Sequence, residues 1–185
     1  MDGESIYNLI ESEGVTYSAA VPTVWQMLLQ YLEESGKRFT RLERVTIGGS
    51  ACPESIVRTF RDKYGVDVIQ GWGMTETSPL GTVSVPNAAV AAMDDAEQMA
   101  FKLKQGRLLF GLEIKLVDDV GNRLPHDGKT PGRLMIKGPT IAAGYFGGEG
   151  GEVLDGEGFF DTGDVSTIDA QGYMQITDRA KDVIK

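Results

Sequence analysis

Twice in its first 70 residues the chain runs from a short apolar stretch through a proline into an amphipathic stretch that ends at a glycine. Val15-Thr-Tyr-Ser-Ala-Ala-Val21 leads to Pro22, after which Val24, Leu28, Tyr31 and Leu32 recur at roughly helical spacing until Gly36. Arg44-Val-Thr-Ile-Gly48 leads to Pro53, followed by Ile56, Val57, Phe60 and Tyr64 on one face until Gly65, and Val66-Asp-Val-Ile-Gln70 comes next. Proline suits the first turn of a helix, where its missing N–H is not needed, and glycine takes the left-handed conformation that closes one. Strands separated by helices are joined by crossovers rather than hairpins, so the pattern predicts a mainly parallel α/β layered segment.

From Asn87 to Gln105 the residues turn to Ala, Met and mixed charges, which predicts a helix with a weakly apolar face. Beyond Gly106 the period shortens. Glu113-Ile-Lys-Leu-Val117 alternates, Asp119-Val-Gly-Asn122 is a turn, Arg133-Leu-Met-Ile-Lys137 follows Pro131-Gly132, and 163–168 and 173–177 flank Asp169-Ala-Gln-Gly172 as a hairpin. The expected α/β organisation is therefore an α/β subdomain over 1–105 and a smaller β-rich, barrel-like subdomain over 106–177.

Composition excludes several functions. Eighteen Lys and Arg against 27 Asp and Glu give a formal charge of −9, a poor surface for nucleic acid. Cys52 is the only cysteine and His126 the only histidine, so no internal disulfide or His/Cys zinc site can form, and Ser-His-Asp or Cys-His catalysis has a single imidazole to draw on. With no apolar run long enough for a membrane span and no positively charged, apolar leader after Met1, a cytoplasmic location is expected.

Four stretches carry candidate chemistry. Gln70-Gly-Trp-Gly-Met-Thr-Glu-Thr-Ser78 follows a predicted strand, and ligands of α/β sheets bind at strand ends. In it Trp72 offers a flat face to a base, Thr75 a hydroxyl to a phosphate, and Glu76 a hard carboxylate to Mg²⁺. Ile47-Gly-Gly-Ser-Ala-Cys-Pro53 is a second glycine turn between strand and helix, in which Cys52, lacking a second cysteine or a nearby histidine, reads as a packing residue rather than a nucleophile. Gly132-Arg-Leu-Met-Ile-Lys-Gly-Pro-Thr-Ile-Ala-Ala-Gly-Tyr145 and Phe159-Phe-Asp-Thr-Gly-Asp164 complete the set, Asp164 having the acceptors that a ribose diol needs. Taken singly, each of these is an ordinary turn.

In this order, the segments resemble the adenylate-forming enzymes, the superfamily of acyl-CoA synthetases, luciferases and peptide-synthetase adenylation domains. Val15–Trp25, Gly48-Gly-Ser-Ala51, Gln70–Pro79 and Asp178-Arg-Ala-Lys-Asp182 are similar to the medium- and long-chain fatty-acyl-CoA synthetases. The resemblance implies an acid–thiol ligase that joins a fatty acid to CoA through an acyl-adenylate, using ATP with Mg²⁺ and releasing AMP and pyrophosphate. It implies that Gly49 and Ser50 line the adenine pocket, that Trp72 stacks on adenine, and that Gln70, Gly71 and Gly73 border the adenylate. Thr75 would hold the α-phosphate, Glu76 the Mg²⁺ and Asp164 the ribose hydroxyls, with Arg179 near them; Lys181 lies at the hinge, and residues around Ala20 to Trp25 contribute to the acyl pocket. Residues 178–185 would begin that hinge. The family's Gly/Ser/Thr-rich phosphate loop with its lysine is not among these 185 residues, nor is the C-terminal domain that carries a second lysine and much of the CoA site, so the expectation is a part of a longer ligase, inactive alone. Arg133, where the family often has an acidic residue, and Gly147-Gly-Glu-Gly-Gly151 depart from the pattern. The alternatives are a ligase for an aryl or short sulfur-containing acid, and a non-catalytic nucleotide- or acyl-binding module. Oligomeric state is left open.

Overall fold

Asp2 opens the first helix, its carboxylate accepting from the Ser5 N–H at 2.8 Å, and α1 runs over Gly3–Ser12 with Ile10 buried. The sequence reading passed over this helix. A Cβ on Gly3 would stand 2.6 Å from the Met27 carbonyl oxygen, so the glycine is what lets the start of α1 approach the next helix so closely. The computed structural model describes residues 2–179.

From α1 the chain alternates as expected: β1 (Tyr17–Ala20), α2 (Pro22–Ser35), β2 (Arg44–Ile47), α3 (Glu54–Arg58) extended by a π-helical turn over Thr59–Lys63, and β3 (Asp67–Trp72). Pro22 is at the start of α2, and Gly36 closes it with φ of 66°. β1, β2 and β3 are parallel neighbours, with Val45 opposite both Ser18 and Val68. The core is built from Trp25, Leu28, Leu32, Val45, Ile47, Val57 and Phe60, with the Trp25 and Phe60 rings edge to face at 5.5 Å. The Trp25 indole N–H is shared between the carbonyls of Ala20 (3.1 Å) and Thr46 (3.2 Å), which fixes the ring within this core.

Two compact units divide at Gly71 and Trp72, earlier than the change of composition at residue 105. The reason is visible in the second unit. β4 (Thr82–Val83) pairs antiparallel with β5 (Arg107–Leu108), the Met174 N–H donates to the Gly106 carbonyl, and the Tyr173 hydroxyl joins Val85 and Asn87. The segment 82–106 is thereby sewn to the β-rich part. Its predicted single helix is two short ones, α4 (Ala88–Ala91) and α5 (Asp95–Lys102), because Asn87 and Asp94 each cap a helix start.

β6 (Glu113–Val117), β7 (Gly132–Lys137), β8 (Phe160–Ile168) and β9 (Met174–Arg179) follow in an antiparallel sheet in sequence order. The sheet is open, with β6 and β9 at its edges, so among the described residues the expected barrel does not close. One face covers a core of Trp72, Leu116, Leu134, Ile136, Phe160, Ile168 and Met174. No helix among the described residues is long and apolar enough to cross a membrane.

Candidate functional site

In the first unit, the ends of β2 and β3 bring two candidate pairs together. Ile47 and Gln70 are register partners, and the chain leaves them as Gly48-Gly49-Ser50 and as Gly71. A Cβ at Gly48 would meet the Gly71 carbonyl oxygen at 2.9 Å, closer than real side chains come, so glycine is required for these strand ends to lie side by side. Gly49, with φ of +83°, turns the chain outward and is exposed together with Ser50, whereas Gln70 is 2% exposed. Cys52 is buried, and burial pushes its thiol up to about 11, opposite to what a nucleophile needs.

In the second unit, Trp72 and Asp164, 92 residues apart, meet directly. The indole Nε1 donates to Asp164 Oδ2 at 2.9 Å, and both side chains are buried, at 7% and 8% exposure. The flat face that the sequence suggested for Trp72 is thus largely taken up by the core: Gly81 lies against the ring, where a Cβ would come within 2.5 Å of it. Asp164 is held on its backbone side too. Gly163 takes φ of +72°, its N–H donates to Asp161, and the Asp164 N–H donates to the Thr162 hydroxyl, which itself donates to the Leu134 carbonyl.

After Trp72 the chain makes a 3-10 turn over Thr75–Thr77. Gly73 allows it, since a Cβ there would overlap the Pro79 carbonyl oxygen at 1.9 Å. Thr77, fully buried, accepts from the Met74 N–H at 2.9 Å and lies within donating distance of the Met74 and Pro79 carbonyls. This leaves Thr75 exposed and Glu76 half-buried. Two groups from the loop after β7 reach Glu76: the Ala142 N–H donates to its carbonyl at 2.8 Å, and the Tyr145 hydroxyl to its carboxylate at 2.6 Å. The carboxylate in turn holds the Tyr145 phenol above its ordinary value.

Neither Thr77 nor Tyr145 was singled out from the sequence. The signal for Thr77 was its place two residues before a proline in a glycine-flanked turn; Tyr145 ended a quoted motif, but nothing local tied it to a residue 69 positions earlier. Arg179 is the register partner of Asp164 across β8 and β9, which sets the two main chains side by side. Lys181 lies outside the described residues.

Among the described residues no cluster of three or more His, Cys, Asp or Glu could enclose a metal. That does not conflict with Mg²⁺, which keeps most of its waters and takes one or two carboxylates plus phosphate oxygens. Glu76, a hard carboxylate on a solvent-facing turn beside the exposed Thr75, fits such a partial site.

Residues 1–146 match the family of AMP-binding enzymes. The 3-methylmercaptopropionyl-CoA ligase of Ruegeria lacuscaerulensis is 49% identical over 185 residues, covering all of this chain and 34% of that protein. The medium-chain-fatty-acid–CoA ligase of Ectopseudomonas oleovorans is 48% identical with the same coverage. O-succinylbenzoate coenzyme A synthetase from Bacillus subtilis, solved in complex with AMP, superposes on the whole chain with a TM-score of 0.79 at 27% identity, over 35% of its own length. The chain therefore spans about a third of the length of the curated relatives it matches. Matched over most of its length, the chain belongs to the family of AMP-binding enzymes.

Proposed function

We propose that this chain supplies nucleotide-holding residues to an AMP-forming acid–thiol ligase acting on a fatty acid, ATP and CoA. The observation that carries this reading is the buried Trp72–Asp164 hydrogen bond, which gives the second unit an anchored carboxylate in the motif position where the family holds ribose. Asp164 then accepts from the ribose hydroxyls, and Thr75 donates to the α-phosphate. Gly49 and Ser50, with Gln70 and Gly71, border the adenine and the adenylate, while Gly73 sets the turn from which Thr75 and Glu76 project. Arg179 and Lys181 keep the roles beside the ribose and at the hinge.

Glu76 would hold Mg²⁺, which when bound neutralises phosphate charge. In the reaction a carboxylate oxygen attacks the α-phosphorus, pyrophosphate leaves, and the CoA thiol then displaces AMP from the acyl carbon. The residues of this chain bind and orient; charge stabilisation on the phosphates is the source of rate that such sites offer. No group here is assigned as a general base. A second reading of the acid, a short sulfur-containing one, is favoured by the 49% identity to the 3-methylmercaptopropionyl-CoA ligase. We place the ligase in the cytoplasm.

The test is titration with a non-hydrolysable acyl-adenylate mimic, followed by calorimetry on this chain, alongside ATP–pyrophosphate exchange by the chain and by its full reading frame. Saturable binding by the chain, with exchange only in the full frame and only with the preferred acid, is the expected result. Exchange by the 185 residues alone would overturn the division of labour, and a full frame that binds the mimic without exchange would turn the assignment to a binding module.

A further inference from the structure

We propose that Trp72 is a positioning residue for ribose recognition, acting through its indole N–H on Asp164 rather than as a stacking plate alone. The inference rests on the nucleotide reading above and adds a residue role to it. A carboxylate that is 8% exposed loses most of its hydration and needs donors in place of that water to hold one orientation. Trp72 supplies one at 2.9 Å from a ring with no freedom to follow a moving acceptor, because Gly81 and the core cluster pack against it. The backbone of Asp164 is fixed independently by Thr162, whose hydroxyl bridges the Asp164 N–H and the Leu134 carbonyl. With the main chain and one carboxylate oxygen both held, the direction of the carboxylate's remaining lone pairs is set before a ligand arrives.

The chemistry selected by such a preset acceptor is a vicinal diol, whose two O–H groups need lone pairs at a fixed spacing. Indole is suited to the task in a way that other aromatic residues are not. Phenylalanine has no donor, and the hydroxyl of tyrosine lies on the long axis of the ring, not at the edge from which Nε1 reaches Asp164. Trp72 and Asp164 come from stretches whose separate motifs say nothing of this bond, which only the packing of the second unit reveals.

The experiment compares AMP with 2′,3′-dideoxyadenosine monophosphate, binding each to this chain by calorimetry. The variants are Trp72→Phe, Trp72 replaced by benzothienylalanine, and Asp164→Asn. Benzothienylalanine keeps the bicyclic shape and exchanges N–H for sulfur, so it remains informative where phenylalanine leaves a hole in the core. The unmodified chain is expected to prefer AMP. Loss of the indole donor should cut that preference by about three- to tenfold, the effect of removing one hydrogen bond, while affinity for the dideoxy nucleotide stays unchanged. A merely structural role for Trp72 would weaken both nucleotides equally. If Asp164→Asn abolishes the preference and both Trp72 replacements retain it, the role given to Trp72 is overturned while the nucleotide reading stands. If Asp164→Asn leaves the preference intact, or the unmodified chain shows none, the nucleotide reading fails and the role of Trp72 falls with it.

Discussion

Thr77 shows how one buried hydroxyl can determine what its neighbours do. It closes the turn by accepting from Met74 and donating back to a carbonyl of the same turn, and it has no exposed surface. The exposed Thr75 and half-buried Glu76 owe their projection to that closure. Thr77→Val keeps the shape and removes both hydrogen-bonding functions, leaving the Met74 N–H without its acceptor. Stranding a buried polar group costs about 1–3 kcal/mol. Urea unfolding should therefore show a loss of that size, and the variant should bind the adenylate mimic more weakly even where it is fully folded. Undiminished binding would separate the turn from the nucleotide.

Between single residues and the fold, the elements differ in how openly the sequence announced them. The strands and helices from β1 to β3 were legible because three local signals agreed: apolar period, Pro at a helix start and Gly at its end. α1 leaves a fainter trace, a cap at Asp2 that accepts from Ser5 and the single buried apolar side chain of Ile10, with no proline at its start. The helix expected over 87–105 is broken because Asn87 and Asp94 both act as caps, accepting from Val90 and Glu97 at 2.8 and 2.9 Å. The candidate site divides along the same line. Gly49, Gln70, Thr75, Glu76 and Asp164 were legible as motif positions, but the Trp72–Asp164 and Tyr145–Glu76 bonds join residues 92 and 69 apart and leave no local trace. The caps give a direct check. Asn87→Ala and Asp94→Ala should each cost about 1 kcal/mol in urea unfolding, Asp94→Ala removing the acceptor of the Glu97 N–H while leaving the main-chain N–H of position 94 to donate to the Glu97 carboxylate. A cost near zero at Asp94 would mean that α5 contributes nothing to the cooperative unit.

Charge is the property that the chain expresses as one body, and it yields a prediction about acid. The formal charge is −9 at pH 7 and the isoelectric point about 4.6, with one histidine, so few groups other than carboxylates titrate between pH 7 and pH 4. Several of those carboxylates are held below their ordinary values. At Asp155 burial pushes upward, yet the Lys115 ammonium at 2.7 Å and the N–H groups of Phe159 and Glu157 prevail, bringing it to about 2 from an ordinary 3.8. Asp127, fully exposed, reaches about 2 through the N–H groups of Thr130 and Lys129 and the Thr130 hydroxyl. A lowered folded value means that the unfolded chain binds protons first, so the contribution is fully present above pH 4 and lost as pH falls through 4 towards 2. Lys115 makes the loss matter: it is 5% exposed, 4.3 Å from the Phe159 ring centroid, and protonating Asp155 strips a buried cation of a partner. The urea midpoint should accordingly be nearly level from pH 7 to pH 5 and drop steeply from pH 4 to pH 2. Asp155→Asn should lower the midpoint at pH 7 and flatten the acid limb. Lys115→Met, which fills the same space without the charge, should flatten it too while costing less at pH 7 than the asparagine variant. If the midpoint fell mainly between pH 7 and pH 5, the loss would lie in a range where these aspartates do not titrate, and Asp155 would not be the group that acid unfolding reads.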